Sequence, residues 1–413
     1  MTVDRRDFLK LAGATAVAAN MTRSVGAASI ATAETGRDAF AFPEDRVPMN
    51  AANLCPMPVA VRDAITGHDR ALDHDMSHIS RGRIERLKEE ARSQLAAQLG
   101  VAADELAIVR NTSEANNIVV QGMPLEVGDE VLLWDQNHPS NAVAWDVHAA
   151  RHGFAVKRLS VPGSAKSAEE VVNAFVAAVS SRTKVVSMTH ISNISGTRLP
   201  AGALCRALHA KNPALHVHLD GAQTWGIVDV DLNELDCDSF SASAHKWYMG
   251  PREVGLLYVR EPHIAKLWPN CVSVPWGGSP APEVTGARRF EAFGQRDDAA
   301  IAALLKTVAF HERLTPAAIE RRASLLAQRL RDGLGSLGVD FVSPLNEPFT
   351  SNVVILAAPP ENRSTLVQRV LDDAGIIVAG VGGLRMTPHV YNTEAHIDRM
   401  VEAVAGLRDL LSG

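Results

Sequence analysis

Apolar residues recur along this chain in two spacings, and each spacing predicts a different element. From Arg81 to Gly100 they return every three or four positions, which predicts an amphipathic helix that ends at Gly100. Further on they form short continuous runs, typical of strands buried on both faces of a parallel sheet. These runs are Leu106–Val109, Glu130–Trp134, Ala155–Val161, Lys184–Met188 and Leu215–Leu219. Helical or loop segments separate them, so the pattern predicts an α/β large domain with a mostly parallel sheet.

Two further runs, Ser239–Ser241 and Gly255–Val259, follow each other closely, so the sheet is predicted to be mixed at one edge. A helical region from Asp297 to Leu337 then leads into a smaller α/β domain. The elements predicted there are strand Asn352–Leu356, helix Arg363–Ala374, strand Ile376–Val378 and a final helix from Thr393.

The segment from Phe42 to His78 carries Pro56 and Pro58 and is predicted to be an irregular lead-in. The pattern thus divides the chain into four parts. These are a signal at 1–33, the lead-in segment at 34–78, a large domain at 79–300, and a long helix with a small C-terminal domain at 301–413.

The N-terminus has the pattern of an export signal. Residues 5–10 read Arg-Arg-Asp-Phe-Leu-Lys, which matches the core of a twin-arginine signal, and a mildly apolar run follows from Leu11 to Met21. Small-residue sites at 25–27 and 31–33 are suited to cleavage by a signal peptidase. The run is too short to span a membrane, which takes about 20 apolar residues. We therefore expect transport by the twin-arginine translocase, cleavage of the signal and a periplasmic mature protein.

Composition argues against several classes of partner. The net charge of -6 and the pI near 6.2 leave no basic surface for nucleic acid, so a small molecule is the expected ligand. The four cysteines, at positions 55, 205, 237 and 271, show no C-x-x-C spacing, which disfavours a zinc ribbon or a redox pair. No disulfide is predicted from these spacings.

Polar residues follow the ends of the predicted strands, where ligands bind in open parallel sheets. Asn111-Thr112-Ser113-Glu114-Ala115 opens a predicted helix, and helix N-termini bind phosphate. His138 and Asn193 follow two further strands. Thr112 and Ser113 would serve equally as helix caps, and His138 as an ordinary loop histidine.

An acid and a lysine occupy two more of these positions. Asp220 ends one strand, and Lys246 follows another within Ser243-Ala244-His245-Lys246-Trp247. A carboxylate against a pyridine nitrogen keeps that nitrogen protonated, and a lysine can bind an aldehyde covalently and later move a proton. The pair therefore indicates pyridoxal 5′-phosphate chemistry.

These motifs resemble those of the class V aminotransferases, which include cysteine desulfurases and isopenicillin N epimerase and have fold type I of the pyridoxal-phosphate enzymes. The resemblance covers nearly the whole chain after the signal. It implies a homodimer in which Lys246 binds the cofactor, Asp220 faces the ring nitrogen and Arg385 clamps the substrate carboxylate. The remaining roles that it implies are phosphate binding by Thr112, Ser113, Ser243 and His245, ring stacking by His138, contact with the ring hydroxyl by Gln223, and contact with ring or substrate by Asn193.

Two positions depart from the family pattern. Gln295 stands where relatives commonly have a threonine that reaches the phosphate of the neighbouring subunit, and its amide is expected to donate to that phosphate instead. The stretch Ile376–Leu384 lacks the reactive cysteine of the desulfurases, which disfavours persulfide chemistry by that route.

Other functions stay open at this point. Transamination and epimerisation are the expected reactions, a β-eliminating lyase for cysteine-like substrates is the alternative enzyme, and a non-catalytic amino-acid or cofactor binding protein is the alternative of another class. His216, His218 and Asp220 alternate along one strand and so share a face, which would suit a metal. Since Gly221 stands where a further histidine would be needed, the two histidines are interpreted as packing residues and no metal is predicted.

Overall fold

The computed structural model describes residues 36–161 and 167–411. The predicted signal at 1–33, with its cleavage sites, lies outside the described residues. No helix within the described ranges is long and apolar enough to cross a membrane.

A seven-stranded sheet forms the large domain, and it follows the predicted order of strands. Its strands are β2 (Leu106–Val109), β3 (Glu130–Trp134), β4 (Ala155–Leu159), β5 (Thr183–Thr189), β6 (His216–Asp220), β7 (Ser239–Ser243) and β8 (Gly255–Val259). They lie in the order β2-β8-β7-β6-β5-β3-β4. Only β8 runs antiparallel to its neighbours, so the prediction of a sheet that is mixed near one edge is confirmed.

Apolar helices cover both faces of this sheet. The helices of the described chain are α1 (Val59–His74), α2 (His78–Gln98), α3 (Thr112–Gly122), α4 (Pro139–His152), α5 (Ala168–Ala178), α6 (Ala201–Lys211), α7 (Leu232–Leu235), α8 (Glu261–Ile264), α9 (Asp298–Leu314), α10 (Pro316–Gly335), α11 (Arg363–Ala374), α12 (Glu394–Ala405) and α13 (Arg408–Leu411). Two clusters of buried side chains lie on opposite faces of the sheet, one around Trp247 and Leu219 and one around Trp145 and Val131.

The smaller domain packs around its own core of Leu330, Leu356, Leu366 and Met386. Its strands are β9 (Val354–Leu356), β10 (Ile376–Ile377) and β11 (Leu384–Met386), and β11 pairs antiparallel with β9. The sequence pattern predicted the first two strands but not β11.

The lead-in segment was wrongly predicted to be irregular. It contains strand β1 (Val47–Pro48) and the helix α1, which has Val61 as its one fully buried residue. Strand β1 pairs in parallel with β10 of the small domain, whereas Cys55 N donates to the carbonyl of His245 in the large domain. The segment therefore joins the two domains beside the cavity described below.

The helical region between the domains is also more divided than predicted. It consists of α9 and α10, which are separated at Thr315, a residue with φ of 64°. Pro316 occupies the first turn of α10, where its missing N–H removes no hydrogen bond. One long helix therefore does not form here.

Candidate active site

A cavity lies at the carboxyl ends of β5, β6 and β7, as expected for an open parallel sheet. Thirteen residues line it: Asn111, Thr112, Ser113, His138, Ser140, Thr189, Asn193, Asp220, Ala222, Gln223, Ser243, His245 and Lys246. Every residue that the sequence analysis assigned to the site is among them except Arg385 and Gln295. The structure therefore brings together residues from segments that are more than 130 positions apart in the chain.

Lys246 stands in the loop after β7 and lines the cavity. Burial lowers the pKa of its ammonium group, Arg385 lowers it further by charge repulsion, and Asp220 acts in the opposite direction. A lysine with a lowered pKa is more often the neutral amine, which is the form that attacks a carbonyl carbon.

Asp220 ends β6 and is 1% exposed. Its Oδ2 accepts a hydrogen bond of 2.9 Å from Asn116 Nδ2, and its Oδ1 accepts one of 3.0 Å from the Ala222 N–H. These two donors fix the carboxylate at the floor of the cavity, where the two remaining lone-pair sites are able to receive a protonated ring nitrogen.

The first turn of α3 forms part of the cavity wall. Asn111 caps this helix by accepting from the Glu114 N–H, and Ser243 Oγ accepts from the Thr112 N–H at 2.7 Å. Thr112 Oγ1 and Ser243 Oγ lie 2.6 Å apart, so two hydroxyl groups meet at a helix N-terminus. Hydroxyls and a helix N-terminus together favour a phosphate group.

His138 and His245 complete the polar lining of the cavity. His138 is the N-cap of α4, and its Nδ1 accepts from the Ser140 N–H at 3.2 Å. Burial, reinforced by the charge of Lys246, lowers the pKa of His245 to about 4, so its ring is neutral.

Gln223 also lines the cavity, but neighbouring residues already hold its amide. Its Nε2 donates to the carbonyl of Ala52 at 3.0 Å, and its Oε1 accepts from Trp247 Nε1 at 2.7 Å. One N–H and one lone pair of the amide are left for the ring hydroxyl contact that the sequence analysis assigned to it.

Arg385 lies on β11, immediately behind the cavity wall. It is 3% exposed, and its Nη1 and Nη2 donate to the Asn193 carbonyl and to Asn50 Oδ1. Its Nε is buried without an acceptor, and no carboxylate of the described chain forms an ion pair with it. Burial lowers the pKa of Arg385 to about 10, so the side chain remains a cation that lacks a counter-ion.

Gln295 lies outside the cavity in this chain. It is exposed, and its Nε2 donates to Asp298 Oδ2 at 3.3 Å beside a second surface cavity around Lys88 and Arg296. Its predicted contact was with the neighbouring subunit's phosphate, so that role stays a prediction.

The geometry does not support a metal site formed by His216, His218 and Asp220 on β6. Both ring nitrogens of His218 are engaged, one with Ser239 Oγ at 2.8 Å and one with Asn116 Oδ1 at 2.9 Å. His216 is engaged in the same way with Ser239 and His263. The two rings therefore do not converge with Asp220 on one point.

The sequence analysis missed Asn116, which is fully buried in α3 and reaches Asp220. It also left Asn111, Ser140 and Thr189 of the lining without a role. One signal of Asn116 was available, since it stands four residues after Thr112 and therefore faces the sheet from the same side of the helix.

None of the four cysteines lines this cavity. The backbone N–H of Cys55 donates to the carbonyl of His245, next to Lys246. The Cys55 side chain is buried against Tyr391, and burial raises the pKa of its thiol to about 12. A thiol of that pKa is not a nucleophile near neutral pH.

The residues present fit pyridoxal phosphate. The buried Arg385 Nε without an acceptor marks an anion site on one side, and the Thr112 and Ser243 hydroxyls at a helix N-terminus mark another. Asp220 at the end of β6 and Lys246 after β7 line the same cavity, because the two strands end at the same edge of the sheet.

Comparison with known proteins agrees with this geometry. The sequence profile of the class-V aminotransferases matches residues 56–401. The isopenicillin N epimerase of Streptomyces clavuligerus is 28% identical over 396 residues, covering 92% of this chain and 99% of that protein. The isopenicillin N epimerase of Amycolatopsis lactamdurans is 31% identical, covering 87% and 94%. A probable cysteine desulfurase of Vibrio cholerae is 28% identical, covering 88% and 94%.

Solved structures show the same fold. A mutant of the enzyme C-DES with glycine covalently linked to its PLP cofactor superposes with a TM-score of 0.80 at 23% identity, over 87% of this chain and 96% of the other. A cysteine desulfurase from Thermococcus onnurineus gives a TM-score of 0.80 at 21% identity, over 90% and 96%. The predicted fold type I architecture is therefore confirmed.

Proposed function

The chain belongs to the class V aminotransferase family, and on that premise we propose that it uses pyridoxal phosphate to epimerise or transaminate an amino acid or an amino-acid-derived metabolite. One observation carries the proposal: Arg385 is a buried cation without a carboxylate partner among the described residues, next to the cavity that holds Lys246 and Asp220. An amino compound that bears a carboxylate would satisfy both ends of this arrangement.

The bound cofactor supplies an electron-accepting ring for the carbanion at the substrate's α-carbon. Asp220, fixed by Asn116 and the Ala222 N–H, would face the ring nitrogen and favour its protonated form. Lys246 Nζ would hold the cofactor through its aldehyde, and the same amine would move the α-proton of the substrate. The lowered pKa of Lys246 favours the neutral amine that this step needs.

Two anion sites would orient the substrate. The hydroxyls of Thr112 and Ser243 at the N-terminus of α3 would hold the phosphate, and Arg385 would hold the substrate carboxylate in a bidentate pair. Binding at both sites would fix the α-carbon relative to Lys246 Nζ, so that the entropic cost of alignment is offset by the binding energy.

Epimerisation and transamination share α-proton removal and differ in where the proton returns. Two epimerases are among the curated relatives that are similar over most of their length, which supports the first reaction, and a probable cysteine desulfurase is similar over a comparable length. The absence of a cysteine from the cavity lining of the described chain argues against the persulfide route of the desulfurases.

The first test is the absorption spectrum of the purified protein between about 300 and 500 nm, before and after borohydride. We expect a long-wavelength band that borohydride bleaches and that Lys246→Ala lacks. A protein that stays colourless with added pyridoxal phosphate would contradict the proposal.

The second test separates the reactions by mass and NMR analysis of amino acids incubated in deuterium oxide. Deuterium at the α-carbon with inversion indicates epimerisation, a 2-oxo acid indicates transamination, and pyruvate from cysteine without an amino acceptor indicates the β-eliminating lyase. A coloured protein that turns over no amine would instead be a binding protein.

We also propose that the enzyme is a homodimer. Val274 is 91% exposed and Met76 is 77% exposed, which is unusual for large apolar side chains and supports an interface near α2 and Gln295. Light scattering on the purified protein tests this, with a monomeric mass as the contradicting result.

Export to the periplasm by the twin-arginine route is likewise a proposal, supported by Arg5, Arg6 and the apolar run that follows them. The double substitution Arg5→Lys and Arg6→Lys is expected to retain the protein in the cytoplasm of a host cell. Equal periplasmic yield of the wild type and the double variant would contradict it.

A further inference from the structure

A continuous line of buried polar groups begins at Asp220 and runs back along β6, away from the cavity. Asn116 Nδ2 donates to Asp220 at 2.9 Å, and the other end of the same amide, Asn116 Oδ1, lies 2.9 Å from His218 Nε2 and 2.6 Å from Ser241 Oγ. Asn116 and His218 are both 0% exposed. The amide is therefore held from both ends by groups that water does not reach.

The line continues to the start of the strand. His218 Nδ1 lies 2.8 Å from Ser239 Oγ on the neighbouring strand β7, and the same hydroxyl lies 2.8 Å from His216 Nε2. His216 Nδ1 then lies 3.2 Å from Nδ1 of the half-buried His263 on α8. The groups that link Asp220 to His263 are all buried.

The chemistry of each group fixes the direction of these hydrogen bonds. An ionised carboxylate only accepts, so Asn116 turns its NH₂ group to Asp220 and its carbonyl oxygen to His218. His218 must then carry its proton on Nε2, and burial, which lowers its pKa to about 3, keeps the ring neutral. Its Nδ1 accordingly accepts from the Ser239 hydroxyl.

The same reasoning extends past Ser239. Because its hydroxyl proton points to His218, Ser239 Oγ accepts from Nε2 of His216, whose pKa burial also lowers to about 3. The direction is not fixed beyond His216, because Nε2 of His263 also lies 3.2 Å from Asp238 Oδ1. Every proton between His216 and Asp220 points toward Asp220, so these dipoles add up to a positive potential at its carboxylate.

We propose that Asn116, His218 and Ser239 are positioning residues that hold the Asp220 carboxylate correctly turned toward the ring nitrogen of the cofactor. This inference rests on the proposed function, since it assigns those residues a role in binding pyridoxal phosphate. None of them touches the cavity, and they act only through Asp220.

At the far end of the line, the potential metal-ligand atoms of His216, Asp238 and His263 lie within 4.8 Å of one another. Asp238 already accepts from His209 Nε2 at 2.9 Å, and Arg260 Nη1 lies 3.9 Å from its Oδ1. A cation there would face a guanidinium group, so we assign these residues no metal.

The chain offers a matched pair of substitutions as a test. Ser239 and Ser187 are the register partners of His218 on the two neighbouring strands, and both are 0% exposed. Ser239→Ala breaks the line, whereas Ser187→Ala removes a hydroxyl that bonds to Asn141 instead. The measurement is the dissociation constant of the apoprotein for pyridoxal phosphate and for its 1-deaza analogue, which has no ring nitrogen.

We expect Ser239→Ala and His218→Leu to weaken binding of pyridoxal phosphate by about tenfold, the scale of one lost hydrogen bond to a charged network. Binding of the deaza analogue should stay at the wild-type value in both, and Ser187→Ala should change neither. His218→Gln should restore most of the affinity, because its amide nitrogen takes the place of Nε2 and donates to Asn116.

A second measurement covers variants that fold poorly. The ¹⁵N chemical shift of the ring nitrogen in labelled pyridoxal phosphate should indicate protonation in the wild type and in His218→Gln, and partial deprotonation in His218→Leu. The role of the line would be overturned if the variants lost affinity equally for pyridoxal phosphate and for its deaza analogue. It would also be overturned if Ser239→Ala bound both as Ser187→Ala does. Failure of the wild type to bind either cofactor would instead overturn the proposed function.

Discussion

Trp247 Nε1 donates a 2.7 Å hydrogen bond to Gln223 Oε1, and both side chains are buried. Trp247 follows Lys246 directly, and Gln223 lies in the loop that follows Asp220. This single bond therefore ties the loop that carries the lysine to the loop that carries the acid, so the two groups keep their spacing when the cavity is empty.

The Trp247→Phe substitution should separate these loops. It leaves a buried amide oxygen without its donor, which costs about 1–3 kcal/mol in the free energy of unfolding beyond the loss of ring volume. Trp134→Phe is the matched control, because Trp134 is 1% exposed and its Nε1 has no acceptor within the described chain. Urea unfolding of both apoproteins measures the difference, and equal destabilisation would contradict the structural role of the bond.

Replacement of Arg385 should affect substrates according to their charge. Arg385→Lys keeps a positive charge but loses the bidentate geometry. Transition-state stabilisation for an amino acid should therefore fall by roughly 2–4 kcal/mol, which lowers kcat/KM by about 30- to 1000-fold. Turnover of the corresponding decarboxylated amine should change little. Arg331→Lys, at another buried arginine whose Nη2 donates to the Ser351 carbonyl, serves as the control. A similar loss for acid and amine would argue against the clamp.

Gly382 allows the segment before Arg385 to pass close to the large domain. Its φ is +72°, and a Cβ there would lie 2.1 Å from the Ile194 carbonyl oxygen. Gly382→Ala should therefore raise KM. It should also lower the free energy of unfolding by more than the approximately 1 kcal/mol expected from the unfavourable φ alone. Gly128→Ala isolates that backbone cost, since Gly128 has φ of +101° and nothing lies within 4 Å of its Cβ position. Equal thermal shifts in the two variants would refute the steric explanation.

His209 should make stability depend on pH. Its hydrogen bond to Asp238 raises its pKa above the ordinary value of 6.5, so the folded protein binds this proton more tightly than the unfolded chain does. The resulting stabilisation is fully present below pH 6.5 and is lost as the pH rises through the raised pKa. The thermal midpoint of His209→Gln should therefore decline less between about pH 6 and 8 than that of the wild type. The exposed His74→Gln variant is the control, and an unchanged slope in His209→Gln would contradict the prediction.

The sequence predicted the large sheet well because its strands are continuous apolar runs separated by polar loops. Asp220 and Lys246 were found for the same reason, since the end of a strand also marks the position of the cavity. Strand β11 was missed because its three residues lie between Gly383 and Thr387-Pro388, where the turn signals dominate.

Other features depended on tertiary contacts that no local pattern encodes. Helix α1 has one fully buried residue and begins directly after Pro58, and the two prolines before it favoured the prediction of a loop. Asn116 was overlooked because asparagine in a helix is usually exposed, whereas here His218 and Asp220 satisfy its amide in the interior. Its position four residues after Thr112 was one local signal, and the pairing of distant segments is what shows its contacts.

The lead-in segment has a consequence for how the protein is made. Val47 pairs with Ile376, and the Ala52 N–H donates to Thr387 Oγ1 across 335 positions of sequence. The segment leaves the ribosome long before its partners, which are synthesised more than 300 positions later. Contacts of such long sequence separation form slowly, because closing the intervening chain into a loop lowers its entropy before the contacts stabilise the fold. We therefore expect the arginine side of the cavity to assemble last, so that a nascent chain has a folded sheet before it has a complete pocket.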